Sequence, residues 1–181
     1  LAAQYSRSGE AQKALDVLEA AVEANPGERR LRLALAKRLL DAPGKSGDVK
    51  YHLQRACQPG DRSNEARLLY GRQLFADGEF EESKRIFREL SVAAVSLEVK
   101  QRAVYPLPDV FRGVIARTED NYCFIARDGR NDWVFAARSD AKESAWASLF
   151  VGARVRFRIA FNFRGAAGFD IEEEESSRGQ A

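Results

Sequence analysis

Methionine is absent from this sequence, histidine occurs once, at His52, and cysteine twice, at Cys57 and Cys123. Each shortage excludes something. Two cysteines far apart in sequence do not make a disulfide framework, which points to a reducing, cytoplasmic setting. One histidine and two distant cysteines cannot supply the four ligands of a zinc site. A Ser-His-Asp or Cys-His unit would have to use His52. That residue sits between Tyr51 and Leu53 with no catalytic motif around it, and it reads as structural or surface. No run of 18 apolar residues is present, so no membrane-spanning helix is expected. No basic segment followed by an apolar one opens the chain, so no signal peptide is visible. The expectation is a binding protein with no catalytic residues, no metal and no cofactor. The sequence starts inside a helical pattern without an initiator methionine, which reads as a piece of a longer protein.

Charge of one sign is also lacking: the formal net charge is +2. Residues 1–104 and 105–171 each carry a small excess of basic side chains, which permits a nucleic-acid partner without demanding one. The run Glu172 to Glu175 reads as a solvated, disordered acidic tail over 172–181.

The first half repeats. Ala2, Ala36 and Gly71 recur at steps of 34 and 35 residues. The segments Leu1 to Glu28, Arg29 to Ser63 and Asn64 to about Leu97 align with one another. In the first, Ala2, Tyr5, Gly9, Ala14, Leu18, Ala21 and Pro26 form the pattern; in the third, Gly71, Leu74, Gly78, Phe80, Ser83, Phe87 and Leu90 do. The second carries Ala36 and Leu39, then Val49, Leu53 and Ala56. Small residues at Ala2, Ala36 and Gly71 would let paired helices approach closely. Gly9 and Gly78 suit tight turns, and Pro26 and Pro59 would end helices. Leu18, Leu53 and Phe87 are the large side chains expected to fill the space between hairpins. The stretch Val92 to Arg102 is expected as a helix that closes the stack.

This pattern resembles the tetratricopeptide repeat family over roughly residues 1–97. The resemblance implies stacked helical hairpins whose concave surface holds a peptide, a partner protein or a neighbouring domain. The positions comparable to the family's peptide clamp are Arg32, Arg38, Arg67 and Arg72, which do not match its Asn and Lys set. The plain alternative is a spacer or dimerisation element. Gly44-Lys45-Ser46 resembles the end of a phosphate-binding loop, but Leu39 stands where the first glycine is required and no strand precedes it. It is expected to be an interhelical turn.

At Tyr105-Pro106-Leu107-Pro108 the pattern changes. Two prolines exclude helix and suggest a stiff linker over 104–110. Beyond it the apolar period switches from 3.6 to 2. Strands are expected at Phe111 to Arg117, Tyr122 to Arg127, Trp133 to Ala137, Ala153 to Phe163 and Ala166 to Ile171. Asp128-Gly129 or Arg130-Asn131, and later Arg164-Gly165, make the turns. Five short strands with a longer link after the third follow the OB-fold plan.

Asn121-Tyr122-Cys123-Phe124-Ile125 stands where cold-shock domains have Gly-Phe-Gly-Phe-Ile. Trp133-Val134-Phe135-Ala136-Ala137 stands where they have Asp-Val-Phe-Val-His. Gly113-Val114-Ile115, the set Leu149, Gly152, Val155 and Phe157, and Arg164-Gly165-Ala166-Ala167 follow the remaining pieces in order. Residues 111–171 thus resemble a cold-shock domain. The resemblance implies that Tyr122, Phe124 and Phe135 stack unpaired bases. Ala137 replaces the family's His, Arg138 a following aromatic, and the strand-one Trp is absent, with Arg117 near its place. Arg117, Arg127, Arg130 and Arg138 are the candidates for phosphate contact and guanidinium stacking. Against this, Phe124 or Phe135 can be core, Trp133 and Trp146 can pack between strands and link, and the row Arg154, Arg156, Arg158 reads as a solvated face.

The expected fold class is therefore α + β multidomain: all-α repeats over 1–103, then an all-β five-stranded OB-like barrel over 111–171. The expected function is an adaptor or sensor fragment, of bacterial type. Its barrel would bind single-stranded RNA, ahead of DNA, and its repeats a protein partner or upstream domain; no membrane is involved. The rival is a pure protein-interaction or regulatory module of a larger protein.

Overall fold

A computed structural model describes residues 2–41, 46–57, 64–102, 104–141, 146 and 149–174, with residues 2–9 and 46 described by their backbone. Among the described residues six α-helices precede a closed five-stranded barrel, giving an α + β protein with an OB-like barrel. The chain divides into two compact units between Ala93 and Ala94.

The first unit holds α1 (Ala2–Ala24), α2 (Arg29–Leu39), α3 (Ser46–Ala56), α4 (Asn64–Ala76) and α5 (Phe80–Ser91). Each helix packs on the next in sequence. The apolar spacing explains why. In α3, Val49, Leu53 and Ala56 fall on one face and are all buried; in α5 the buried face is Ser83, Ile86, Phe87 and Leu90. Acidic Glu81 and Glu82 open α5 and Arg88 lies in its last turn, the arrangement the helix dipole favours. Glu28 caps α2 by accepting the Arg30 N–H at 3.0 Å. Gly71 is where α4 and α5 come closest. A Cβ there would meet Phe87 Cε2 at 2.9 Å, and Ser83 Oγ donates to the Gly71 carbonyl at 2.7 Å.

Gly9 does not make a turn. Helix α1 runs through it without a break. Surrounding alanines and glutamines favour helix, and an interior glycine costs only about 1 kcal/mol against alanine. Gly78, by contrast, sits at φ +84 in the turn between α4 and α5. Pro59 and the Gly44-Lys45 pair lie outside the described residues, and Ser46 opens α3.

The second unit opens with α6 (Leu97–Gln101), capped by the Ser96 hydroxyl on the Val99 N–H at 3.3 Å. This helix groups with the barrel, and of the expected stretch Val92 to Arg102 only Leu97–Gln101 is helical. The strands are β1 (Phe111–Thr118), β2 (Tyr122–Arg127), β3 (Trp133–Ala137), β4 (Arg154–Asn162) and β5 (Gly165–Glu173). The closed order is β1-β2-β3-β5-β4, with β3 and β5 parallel and the other pairs antiparallel. Gly129 makes the β2–β3 turn at φ +65. A short 3-10 helix, Arg138–Asp140, follows β3.

Strand alternation fills the barrel. Ile115, Cys123, Ile125, Val134, Ala136, Val155, Phe157, Ile159, Phe161 and Ile171 are buried. Each large apolar side chain of this set contributes roughly 1.5–3 kcal/mol on burial. Where β1 pairs with β2, Gly113 is required by space, since a Cβ there would clash with the Ala126 carbonyl oxygen.

Two expected boundaries differ. Residues 104–107 are not a free linker. The Val104 N–H donates to Phe161 O at 2.8 Å, the Phe161 N–H returns to Val104 O at 2.9 Å, and the Leu107 N–H donates to Ile159 O at 2.8 Å. The segment takes up the edge of β4 that β1 leaves. Prolines are tolerated there because an edge position needs only alternate N–H groups. The acidic run is not wholly a tail either. Glu172 and Glu173 belong to β5; Glu172 pairs with Arg156, and Glu174 with Arg112 at 2.7 Å. Opposite arginines on neighbouring strands draw the run into the sheet. Residues 175–181 lie outside the described residues.

Candidate nucleic-acid interface

Strands β2 and β3 pair in the register Tyr122↔Ala137, Phe124↔Phe135 and Ala126↔Trp133. Because side chains alternate across a strand, these residues share the outer face, while Cys123, Ile125, Val134 and Ala136 turn inward. Burial pushes the Cys123 thiol up to about 11, as expected of an inert core cysteine.

Four rings meet on the outer face. Tyr122 stacks with Phe135 at a centroid distance of 5.7 Å and 29°. Phe124 meets Tyr122 and Phe135 edge-on, each at 5.8 Å, and Trp133 at 6.1 Å. These are the offset and edge geometries that aromatic quadrupoles prefer. Trp133 is 61% exposed and Phe135 37%, while Tyr122 and Phe124 are half-buried. Phe124 and Phe135 are therefore not core.

Trp133 belongs to this surface and is not packed between strands and link. Parity would have placed it: Trp133 and Phe135 lie two apart on one strand, and Val134 between them is core.

The arginines divide. Arg117 is exposed and lies opposite Phe124 in the β1–β2 register. Its Nε and Nη2 donate to Glu119 Oε1 at 2.9 and 2.7 Å. An exposed pair of this kind is weak and can be exchanged for another anion. Arg138 is exposed beyond the end of β3, and its backbone N–H donates to the Asn121 carbonyl at 2.9 Å. Asn121, Arg138, Ser139 and Ala141 line a shallow depression of about 520 Å³ there. Arg130 is exposed near the β2–β3 turn, at the other end of these strands.

Arg127 is not a surface contact. It shares parity with Cys123 and Ile125 and is buried. Its Nε and Nη2 grip Asp132 at 2.6 to 3.1 Å, with side-chain exposures of 6% and 10%, and its guanidinium lies 5.6 Å from the Phe111 ring. It locks the β2–β3 turn.

In the helical unit, Arg38 is exposed and Arg67 half-buried. Arg32 and Arg72 are buried. Arg32 shares the face of Leu35 and Leu39 and donates to the Pro26 carbonyl at 2.8 and 2.6 Å, fastening the α1–α2 turn. Desolvation lowers the Arg72 pKa, which marks a packed guanidinium. Neither is presented as a clamp. His52 is pushed below its ordinary value by burial and by neighbouring Arg32, which favours the neutral ring.

Fold and surface together define the class: an α + β protein whose OB-like barrel carries a contiguous aromatic face on β2 and β3. Comparisons with protein-family models and with curated proteins found no match for the chain. Among the described residues no group of three or more His, Cys, Asp or Glu could hold a metal ion, and no helix is long and apolar enough to cross a membrane.

Proposed function

We propose that this chain is a binding protein, not an enzyme, whose cold-shock-like barrel holds single-stranded nucleic acid, RNA ahead of DNA, across β2 and β3. The observation that carries the reading is the cluster Tyr122, Phe124, Trp133 and Phe135, four rings side by side on an outward sheet face. Every base has a π-face, so such a surface accepts successive bases with little regard to sequence. Each stacked base contributes roughly 1–3 kcal/mol. Arg117 and Arg138 stand at its margins and supply the backbone charge contacts. The helical unit, read as tetratricopeptide-like hairpins, holds a protein partner or a neighbouring domain, with exposed Arg38 and half-buried Arg67 as the candidate contacts that remain of the four arginines.

Titration with short single-stranded oligonucleotides at two salt concentrations tests this, followed by tryptophan fluorescence because Trp133 lies in the surface. The expected result is quenching on binding, with affinity falling as salt rises. Absence of binding to any single strand at low salt would remove the nucleic-acid reading and leave the protein-interaction rival in its place.

A further inference from the structure

At the β3–β5 junction the outer surface opens into a cleft of about 420 Å³. Phe135 forms one wall, so the cleft adjoins the aromatic face. Ala137 of β3 and Ala166 of β5 line it with small side chains, which is what leaves room. The volume lies within the range of ligand pockets. Polar groups converge on it from three separate stretches of chain: Gln101 from α6, Asp140 from the 3-10 helix, and Asn162 with Arg164 from the β4–β5 turn.

Helix α6 and Asn162 are held in place, while Gln101, Asp140 and Arg164 reach the cleft as exposed side chains. Helix α6 is fastened beside the barrel by the Phe163 N–H donating to Lys100 O at 3.2 Å and by the Val104–Phe161 pair. Asn162 is buried, and its Oδ1 accepts the Arg164 N–H at 2.8 Å. Its amide NH2 is therefore the group it offers to a ligand. Asp140 offers a carboxylate, an acceptor with two oxygens. Burial raises its pKa against the weak donation of the Ser139 hydroxyl. Asp140 is exposed at the rim of the cleft, where a ligand that brings its own N–H donors can reach its carboxylate.

A pocket with one bidentate acceptor and amide or guanidinium donors matches one nucleobase edge best. Guanine presents N1–H and the N2 amino group side by side, with the O6 acceptor next to them. Adenine offers one donor group and an acceptor at the same positions, and uracil a single N–H between two carbonyls. We infer that this cleft reads the Watson–Crick edge of a guanine in a strand laid on the aromatic face. Asp140 accepts from N1–H and N2–H, and Gln101, Asn162 or Arg164 donates to O6. The inference rests on the nucleic-acid reading above and adds a base to it.

The test uses the full chain and uridine hexamers carrying one central guanosine, adenosine or inosine, beside the all-uridine strand. Guanosine is expected to bind about tenfold more tightly than adenosine, the scale of one bidentate base contact. Inosine, which lacks the N2 amino group, should fall between them. Asp140→Asn puts an NH2 against the base donors and should abolish the guanosine preference while the all-uridine strand still binds; Gln101→Ala should reduce the preference less. Equal affinity for guanosine and adenosine, with the uridine strand still bound, overturns the pocket and leaves the aromatic face standing. A guanosine preference that survives Asp140→Asn overturns it as well. Failure to bind any hexamer overturns the nucleic-acid reading itself.

Discussion

Two faces of the same barrel differ in how they are satisfied. On β1 and β4 three outward arginines meet acids from within the barrel: Arg154 reaches Asp128 at 2.6 Å, Arg156 pairs with Glu172, and Arg112 pairs with Glu174. On β2 and β3 the outward residues are rings that touch one another and leave Trp133 and Phe135 open to solvent. A row of basic side chains beside a sheet invites a nucleic-acid assignment, but Arg154 and Arg156 sit against acids of the same barrel, as Arg117 sits against Glu119. Exposed aromatic surface has no such internal partner and stays available to bases. Under the proposed function, uncompensated aromatic surface rather than charge as such singles out β2 and β3 as the interface.

The comparison can be broken in several ways. The largest effect is expected from the inner side: Phe157→Ala should cost about 3–5 kcal/mol in denaturant unfolding, while Phe135→Ala changes the unfolding midpoint little. Comparable losses would mean that Phe135 is core. Arg127→Ala strands Asp132 and should cost of the order of 3–5 kcal/mol, against under ~1 kcal/mol for exposed Arg130→Ala in the same assay. Next, replacing Tyr122 and Phe135 with alanine should weaken oligonucleotide binding by roughly 1–3 kcal/mol per stacked base, with circular dichroism unchanged. The smallest effect is expected on the paired face. Arg156→Ala should alter stability by less than about 1 kcal/mol and leave the oligonucleotide dissociation constant as it was. A loss of binding there equal to that of the aromatic variants would erase the distinction between the faces.

Much of the barrel was legible in the sequence because period-2 alternation is a local signal. Val155, Phe157, Ile159 and Phe161 announce both a strand and its inner face, and β2 and β3 have the bounds the pattern implies. The same parity rule carried more than composition suggested. It separates Arg127 from Tyr122 and Phe124, and it joins Trp133 to Phe135. What the sequence hid depends on distant partners. Nothing local says that Val104 and Leu107 will bond to β4, or that Glu172 will find Arg156. In the helices, spacing located the packed faces, including Leu53 and Phe87. Glycine was the weaker guide, since Gly9 lies within a helix and Gly78 turns the chain. The cleft beside Phe135 was invisible for the same reason as the Val104 bonds: its lining comes from α6, the 3-10 helix and the β4–β5 turn.

The edge bonds of Val104 and Leu107 have a consequence for how the chain acquires its shape during synthesis. Helices α1 to α5 pack on their sequence neighbours, so that unit can condense as it emerges. The barrel has no such option. Val104, at its beginning, is matched to Phe161, near its end, and β3 finds its outer neighbour only in β5. Until β5 has left the ribosome, β3 lacks its outer neighbour, so the sheet that carries Tyr122, Phe124 and Trp133 cannot close into a ring.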